Sequence, residues 1–250
     1  MKIDLKNRIV LITGASSGIG KAMVKRFAET RATIAIHFNS NSQAADQLAK
    51  EAGNNSKSFQ ANLIQPTEAN MLFKNVLSYY DRLDVLINNA GIFEFSPISA
   101  ENWLETWQKT MNTNLTSTAI LCKLAIENFL ENSGGRIINI SSRAAFRGDT
   151  KDYLAYAASK GGMTALTKSI ALAYGKNNIK AFSIAPGFVR TPMAEEFIEQ
   201  NGEEKVLGEI ALPELTLPED VAPAAIFLAS GYMDHATGST IDINAGSYIR

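Results

Sequence analysis

A tyrosine and a lysine four residues apart, Tyr156 and Lys160, are the pair in this chain best suited to acid–base chemistry. On a helix this spacing places both side chains on one face. A cation about 4 Å from a phenolate is worth roughly 4 kcal/mol at an effective dielectric near 20, or about three pKa units at most. The spacing therefore predicts a tyrosine whose pKa is brought toward neutrality and which exchanges a proton with a substrate oxygen. A plain surface pair is the competing interpretation.

A serine and a second tyrosine lie close to this pair in sequence. Ser142 lies fourteen residues before Tyr156, at the end of a predicted strand. Its hydroxyl can donate a hydrogen bond to an oxygen on which negative charge develops. Tyr153 has alanine, not lysine, four residues on, and is interpreted as a pocket wall or surface residue.

Residues 13–20, Thr-Gly-Ala-Ser-Ser-Gly-Ile-Gly, follow the first predicted strand and begin the first predicted helix. Glycines permit a tight turn, and a helix N-terminus presents free N–H groups and a positive dipole end to a pyrophosphate. The turn therefore indicates a dinucleotide site, although its spacing is not G-x-G-x-x-G and a simple strand–helix turn is the alternative. A P-loop is excluded because Ala15 and Ala22 stand where glycine and Ser or Thr are required.

Other residue types that often carry chemistry are sparse. His37 and His235, the two histidines, lack metal-ligand spacing with Cys, Asp or Glu, so no metal site is expected. Cys122, the single cysteine, is expected to be buried on a helix and is typical of a cytoplasmic protein without an internal disulfide. Trp103 and Trp107 indicate packing or a subunit contact.

Short apolar runs alternate with longer amphipathic stretches along the chain. The predicted strands are Ile9–Thr13, Thr33–Phe38, Lys57–Ala61, Val85–Asn88, Arg136–Ser141, Lys180–Ile184 and Thr240–Ile243. The predicted helices cover 19–30, 41–53, 67–80, 101–131, 153–176 and 219–230. Several strands are apolar without alternation, as expected when helices cover both faces of a sheet. We predict one α/β domain over residues 1–250, a Rossmann fold with a doubly wound parallel sheet of about seven strands and helices on both faces.

Between Pro192 and Pro218 the alternation stops at a glutamate-rich stretch that predicts one or two short helices. An excursion that rises from the carboxyl ends of the strands is a candidate substrate lid. A solvated pair of surface helices is the alternative.

The composition argues against several classes of partner. With 46% hydrophobic and 20% charged residues and a net charge of −1, the chain has no global field that attracts nucleic acid or an anionic membrane. No apolar run approaches the length of about eighteen residues that a membrane span needs, and the N-terminal run is too short for a signal peptide. We expect a cytoplasmic protein that acts on a small molecule.

Five motifs occur in the order and spacing found in short-chain dehydrogenases/reductases. They are Thr13-Gly14-x-x-x-Gly18-Ile19-Gly20, Asn88-Asn89-Ala90-Gly91, Ser142, Tyr156-x-x-x-Lys160 and Pro186-Gly187. From about Arg8 to Gly246 the sequence resembles that family, above all its 3-oxoacyl-(acyl-carrier-protein) reductases and similar carbonyl reductases. The resemblance implies an NADP(H)-dependent oxidoreductase that interconverts a ketone, an aldehyde or a 3-oxoacyl thioester and an alcohol by hydride transfer, with Tyr156 as general acid/base.

The resemblance also implies the roles of individual residues. The catalytic set is Asn114, Ser142, Tyr156 and Lys160, in which Asn114 holds a water that links Lys160 to solvent. The implied coenzyme-binding residues are Gly14, Ser16, Ser17, Gly18, Ile19, Phe38, Asn39, Ser40, Asn62, Leu63, Asn89, Ala90, Gly91, Tyr156, Lys160, Pro186, Gly187, Val189 and Thr191. Asn62 departs from the aspartate that is usual near the adenine. Arg31 departs from a usual glycine, which would serve as a helix C-cap, and is expected to cost some stability.

Coenzyme preference depends, by the same resemblance, on Phe38 at the end of the second strand. An acidic residue there would accept from the ribose 2′-hydroxyl of NAD and repel a 2′-phosphate. Phe38 and the amide and hydroxyl donors of residues 39–42 favour NADP(H). NAD(H) is expected to remain usable, because residues 37–42 contain no permanent cation and His37 is charged only near or below its ordinary pKa of about 6.5.

The resemblance implies a homotetramer, and apolar residues on the helices at 101–131 and 153–176 agree with it. These residues are Trp103, Trp107, Leu115, Phe129, Leu154, Leu166 and Ile170. An acyl carrier protein is not favoured as a partner, because residues 127–132 contain Glu127 and Glu131 and the segment 192–218 is rich in glutamate, although Arg143, Arg147 and Lys151 keep it open.

Two other function classes are less consistent with these residues. A non-catalytic nucleotide-binding or regulatory protein of the same fold would not need all four members of the catalytic set. A Rossmann-like methyltransferase has no reason to carry the Tyr156/Lys160 pair together with the Asn-Asn-Ala-Gly segment.

Overall fold

Seven parallel strands form one sheet in the computed structural model, which describes residues 3–250. The strands are β1 (Ile9–Ile12), β2 (Thr33–Phe38), β3 (Lys57–Gln60), β4 (Val85–Asn88), β5 (Gly135–Ile140), β6 (Ile179–Pro186) and β7 (Thr240–Ile243). Their order is β3-β2-β1-β4-β5-β6-β7. Strand order reverses between β1 and β4, and at such a switch point the carboxyl ends of the strands leave a crevice for a ligand.

Helices cover both faces of the sheet, which confirms the predicted doubly wound α/β fold. They are α1 (Gly18–Glu29), α2 (Ser42–Ala52), α3 (Pro66–Tyr80), α4 (Trp103–Met111), α5 (Ser117–Glu131), α6 (Ala144–Arg147), α7 (Leu154–Tyr174), α8 (Pro192–Asn201), α9 (Glu203–Leu207) and α10 (Pro218–Ala229). In β1, Val10 and Ile12 belong to the core on one face of the sheet and Leu11 to the core on the other. This two-sided burial explains why the strand is apolar throughout.

The helix predicted over 101–131 is divided by a π-helical turn at Asn112–Thr116. Side-chain hydroxyls bond to backbone carbonyls four residues earlier around this turn, from Thr113 to Lys109 at 2.9 Å and from Thr118 to Asn114 at 3.0 Å. Such turns frequently mark functional sites, and this one carries Asn114.

Other elements also differ from the sequence-based prediction. β6 is longer than predicted because Ile179 pairs with Gly135 and Pro186 pairs with Ile243 in the neighbouring strands. The short helix α6 was not predicted, since four residues carry too little periodicity. Helix α7 ends at Tyr174 and continues only as a 3₁₀ turn.

Several side chains expected at the surface or in the core can now be placed. Cys122 is buried as predicted, and burial raises the pKa of its thiol to about 12. Phe129 and Ile170, counted above as apolar surface, are instead core residues that are 0% and 4% exposed. The expectation that they contribute to a subunit contact is therefore wrong.

Arg31 adopts the left-handed conformation expected of a glycine at this position, with φ of 67°. A non-glycine residue there carries a steric penalty. Its guanidinium forms an ion pair with Asp4, which offsets part of that penalty at a half-exposed site.

The glutamate-rich segment contains α8 and α9, in agreement with the one or two short helices predicted. A small apolar cluster of Ile198, Val206 and Leu215 holds the segment together. It is anchored to the strand ends where the backbone N–H of Arg190 donates to the Thr216 carbonyl at 2.9 Å. Within residues 3–250, no helix is both long and apolar enough to cross a membrane.

Candidate active site

A cavity of about 490 Å³ opens at the carboxyl ends of the strands, where the sheet order reverses. Ligand sites typically have volumes of about 300–1,000 Å³. The cavity-lining residues among those predicted from sequence are Gly14, Ser16, Ser17, Gly18, Ile19, Asn39, Ser40, Asn62, Leu63, Asn89, Ala90, Gly91, Ser142, Tyr156, Lys160, Pro186, Gly187, Val189 and Thr191. Phe38 and Asn114 of that set do not line it.

The turn between β1 and α1 forms one end of the cavity. Gly14 and Gly18 have φ of 61° and 51°, values that a residue with a side chain rarely adopts. A Cβ on Gly20 would lie 2.3 Å from the Gly14 carbonyl oxygen, so only glycine allows the turn to close on the helix. Because α1 begins at Gly18, its free N–H groups lie at the cavity, and no carboxylate among the described residues lines this end. The turn therefore fits a pyrophosphate.

Hydrogen bonds fix this turn to the end of β4. The Asn89 side-chain amide donates to the carbonyls of Thr13 at 2.9 Å and Gly14 at 3.1 Å. In return, the Thr13 hydroxyl oxygen accepts from the backbone N–H of Asn89 at 2.9 Å and of Ala90 at 3.0 Å. The two strand ends that border the crevice are thus held together by side chains as well as by the sheet.

His37 holds the turn from the other side. Its Nδ1 accepts from the Gly14 N–H at 3.0 Å, and its Nε2 lies 3.0 Å from the Ala61 carbonyl oxygen. These partners require a neutral ring with the proton on Nε2. Burial lowers the pKa of His37 to about 4, against a smaller opposite effect of the Ala61 carbonyl. The expectation that His37 gains charge near pH 6.5 is therefore wrong, and it offers no cation to a phosphate at neutral pH.

Phe38 belongs to the core on one face of the sheet and is 5% exposed. The side chains that line the cavity beyond β2 are those of Asn39 and Ser40. The prediction that Phe38 contacts the coenzyme is therefore corrected: its apolar side chain packs inward, and the residues that meet a ligand here are the two polar ones that follow.

Tyr156 and Ser142 lie at the opposite end of the cavity. The Ser142 oxygen accepts from the Ala144 N–H at 3.1 Å, and its hydroxyl hydrogen-bonds to the Tyr156 phenol. Burial raises the pKa of Tyr156 to about 12, with an opposing effect of Ser142 and a further rise from the charge of Asp149. The predicted lowering of this pKa toward neutrality is wrong, because the lost hydration of the phenolate is the largest effect on it.

Lys160 lies one turn further along α7, as the spacing predicts. Its Nζ donates to the Ile140 carbonyl at 2.8 Å and lies 5.7 Å from the Tyr156 ring centroid. The side chain is buried, and burial lowers the pKa of its ammonium to about 8. At neutral pH the pair therefore consists of a protonated phenol and a mostly charged ammonium.

Asn114 is fully buried behind the cavity wall. Its side-chain oxygen accepts from the Ile92 N–H at 2.8 Å, and its amide donates to the Ile92 carbonyl at 3.0 Å and the Ser159 hydroxyl at 3.1 Å. The backbone of Gly91 approaches it closely: a Cβ there would lie 3.3 Å from Asn114 Oδ1 and 3.5 Å from Lys160 Nζ. Asn114 thus connects the chain after β4 to α7 beside Lys160.

The sequence analysis overlooked part of the wall around Tyr156. Tyr153 lines the cavity, as predicted, and stacks on Phe93 at 3.9 Å between ring centroids. Arg143, Arg147, Asp149 and Glu209 also line it. The sequence carries little signal for these four: Arg143 and Arg147 indicate only a local basic patch, and no local pattern brings Glu209 near them.

Two negative expectations concern other sites. Among the described side chains, no group of three or more His, Cys, Asp or Glu residues is placed to hold a metal ion. Trp103 and Trp107 stack at 5.3 Å between ring centroids on α4, outside the cavity lining.

Comparison with known proteins identifies what this arrangement resembles. Residues 8–202 match the sequence model of a family described as short chain dehydrogenase. The chain is 34% identical to 3beta-hydroxysteroid dehydrogenase 1 of Eggerthella lenta over 97% of its length and 94% of the relative's. It is 30% identical to a 3-oxoacyl-(acyl-carrier-protein) reductase of Aquifex aeolicus over 99% of its length and 100% of the relative's. A crystal structure of a putative gluconate dehydrogenase from Agrobacterium tumefaciens is similar with a TM-score of 0.90 and 27% identity, covering 99% of this chain and 98% of that one.

The role of His37 predicts a specific dependence of stability on pH. The pKa of His37 is about 4 in the folded chain and 6.5 in the unfolded chain. Between these values the unfolded chain binds a proton on His37 and the folded chain does not. The stability that neutral His37 contributes is therefore fully present above pH 6.5 and is lost as the pH falls toward 4, with a loss of about 2 kcal/mol at pH 5. Urea denaturation at pH 7.5 and pH 5 measures this loss.

The two histidines supply a matched pair of variants. His37→Gln should lower stability at pH 7.5 and remove about 2 kcal/mol of its dependence on pH, whereas His235→Gln should keep the wild-type dependence. Equal pH dependence in wild type and His37→Gln would show that His37 does not hold the turn as a neutral ring.

Proposed function

The chain belongs to the short-chain dehydrogenase/reductase family and is an oxidoreductase, and from that premise we propose that it reduces a small carbonyl compound with NADPH, using Tyr156 as general acid. The family uses NAD(P)(H) as its cofactor. The observation that carries the proposal is the meeting of Tyr156, Ser142 and Lys160 at one end of a cavity whose other end is a glycine turn at a helix N-terminus.

Tyr156 and Ser142 divide the work on the substrate oxygen. A nicotinamide coenzyme held along the glycine turn would supply the hydride for the carbonyl carbon. As the carbonyl bond breaks, the Ser142 hydroxyl donates a hydrogen bond to the oxygen, and Tyr156 Oη transfers its proton to that oxygen, which becomes the alcohol. Because burial keeps the Tyr156 phenol protonated at neutral pH, the resting site is prepared for reduction.

Lys160 supplies the charge that makes this proton transfer reversible. Its ammonium is held by the Ile140 carbonyl on the same helix face as Tyr156, where it stabilises the phenolate that remains. The family resemblance implies a water held by Asn114 that links Lys160 to solvent, and through it a proton would return toward Tyr156. Asn114 then acts by positioning, through Ile92 and Ser159.

Replacing Tyr156 with phenylalanine is expected to abolish turnover while coenzyme still binds. The phenolic oxygen is the proton donor, and general acid–base groups usually contribute about 10²–10⁴-fold. We expect kcat to fall by at least about a hundredfold, with the Kd of NADPH, measured by fluorescence titration, within about threefold of wild type.

Tyr153→Phe is the matched control, since Tyr153 lines the same cavity without a lysine four residues on. It should retain most of the activity. A Tyr156→Phe enzyme with more than about a tenth of wild-type kcat would contradict the proposed acid.

The coenzyme preference rests on the end of β2. Asn39 and Ser40 line the cavity there, and neither carries the carboxylate that would bind the 2′-hydroxyl of NAD and repel a 2′-phosphate. Helix α2 begins close by at Ser42, so its positive end adds a favourable field for an anion. Since no cation among residues 37–42 pairs with the phosphate, the preference for NADPH is moderate.

We expect kcat/KM to be about ten- to a hundredfold higher with NADPH than with NADH, or about 1.4–2.7 kcal/mol. Asn39→Asp should reverse this order by placing a carboxylate at the cavity, whereas Asn39→Ser, which adds no charge, should keep it. Steady-state kinetics with both coenzymes test this, and wild type that prefers NADH would refute it.

A small free substrate is favoured over one carried on a protein. Arg143 is buried, and both Arg143 and Arg147 lie near Glu209, at 2.9 and 4.0 Å between charged atoms, so Glu209 offsets their charge. They therefore do not form the open basic surface that an acidic carrier needs. Arg147 and Lys151 are the exposed members of the three basic residues, and the charge of Arg147 lies near that of Glu209.

The tetramer and the cytoplasmic location also belong to this proposal. Leu104 on α4 and Leu154 and Leu172 on α7 are 59%, 38% and 89% exposed, and α4 packs against α7. An apolar surface shared by neighbouring helices favours a closed symmetric assembly. The free, buried Cys122 is consistent with a reducing compartment.

Multi-angle light scattering should report four copies of the chain at micromolar concentration. Leu172→Glu, which places a charge on the exposed face of α7, should shift the mass toward smaller species, whereas Met71→Glu, on the exposed surface of α3, should not. A wild-type monomer would refute the assembly.

A further inference from the structure

Arg143 is a buried cation at the catalytic end of the cavity with no role in the proposed proton transfer. It follows Ser142 directly, lines the same cavity, and is 4% exposed. Its backbone N–H donates to the Pro186 carbonyl at 2.9 Å, so the residue is fixed between the ends of β5 and β6. The guanidinium carbon lies 4.8 Å from the centroid of the Phe188 ring.

The guanidinium is only partly satisfied by the protein. Its Nη2 donates to Glu209 Oε2 at 2.9 Å, while Nη1 is buried and meets no acceptor among the described residues. An arginine presents its donors as a fork that matches both oxygens of one carboxylate. Glu209 accepts from one nitrogen of the fork, so its carboxylate fills half of the site.

Glu209 is also a replaceable partner. It follows α9 in the segment anchored beyond β6, and its side chain is 42% exposed, whereas that of Arg143 is 5% exposed. The same carboxylate is shared with Arg147 at 4.0 Å. A carboxylate that enters the cavity can displace it into solvent at little cost, because Glu209 regains its hydration there.

The other charges around the cavity favour a negative ligand. Arg143, Arg147 and Lys160 are its cationic lining residues, against the carboxylates of Asp149 and Glu209. The charge of Asp149 repels an anion, but burial raises the pKa of this carboxyl and so disfavours its charged form. Burial, and then the charge of Arg147, lower the pKa of Arg143, against the smaller opposite effects of Glu209 and Asp149.

We propose that Arg143 binds a carboxylate of the substrate, so that the enzyme interconverts an oxo acid and the corresponding hydroxy acid. The proposal rests on the proposed function and names the class of substrate for that site. The carbonyl oxygen meets Ser142 and Tyr156 while the carboxylate, unchanged by the reaction, replaces Glu209 on both Nη atoms of Arg143. Ser142, which meets the carbonyl oxygen, and Arg143, which holds the carboxylate, are adjacent in the sequence. The site is therefore restricted to short oxo acids.

Matched acids and esters test the proposal. Pyruvate, acetoacetate and levulinate are each compared with the methyl ester in NADPH-dependent reduction. We expect at least one acid to exceed its ester in kcat/KM by about tenfold or more, since a charged hydrogen-bonded pair contributes about ten- to a hundredfold. Equal rates for every pair would overturn the proposal.

Three variants assign the effect to Arg143. Arg143→Gln should raise KM for the preferred acid about ten- to a hundredfold with little change in kcat, and leave the ester within about threefold. Glu209→Gln should lower KM for the acid by freeing the fork. Arg26→Gln, an exposed arginine on α1 paired with Glu29, should change neither. Equal losses for acid and ester in a folded Arg143→Gln would overturn the assignment; Arg143→Lys, which keeps the charge without the fork, replaces it if it does not fold.

An equilibrium measurement separates this proposal from the proposed function. Calorimetry with butyrate and with butyramide, in the presence of NADP⁺, reports carboxylate binding without turnover. Binding of butyrate but not butyramide, lost in Arg143→Gln, supports the carboxylate site even if no tested carbonyl is reduced, a result that would count against the reductase alone. Reduction of the esters without any preference for acids or for butyrate would overturn the carboxylate site alone.

Discussion

The shape of the cavity depends on the hydrogen bonds that join the end of β1 to the end of β4. Asn89 donates to the carbonyls of Thr13 and Gly14, and Thr13 accepts from the N–H groups of Asn89 and Ala90. A buried polar group left without its partner costs about 1–3 kcal/mol, so these bonds are strongly enforced once the sheet forms. The glycine turn is thereby shaped before a ligand arrives, which reduces the ordering cost of binding.

The sequence was sufficient for the parts of the fold that depend on continuous apolar runs and on fixed spacing. Three strands, Thr33–Phe38, Val85–Asn88 and Thr240–Ile243, begin and end where predicted. Each lies in a parallel sheet whose residues must suit burial, so composition alone marks the strand. The Tyr156/Lys160 pair was equally visible, because a helix brings residues four apart to one face whatever the rest of the chain does.

The sequence was insufficient wherever an outcome depends on which way a side chain turns. The position of Phe38 at the end of β2 predicts a ligand contact, but strand alternation directs its side chain into the core and leaves Asn39 and Ser40 to line the cavity. Glu209, the partner of Arg143, is 66 residues away from it in the sequence. No local pattern encodes such a contact, since it arises only when the segment after β6 folds back over the end of β5.

Burial explains the remaining difference and also gives the site its chemistry. Spacing suggested that Lys160 lowers the pKa of Tyr156, yet burial raises the pKa of the phenol to about 12 and lowers that of the ammonium to about 8. Both shifts follow from the loss of water around a charge. The same loss of water strengthens the electrostatic interactions of the charges that remain, because the interaction energy grows as the effective dielectric constant falls. A cavity that keeps Tyr156 protonated and Arg143 short of acceptors therefore discriminates among ligands by where they carry negative charge: on the oxygen that Tyr156 protonates, and on the group that Arg143 holds.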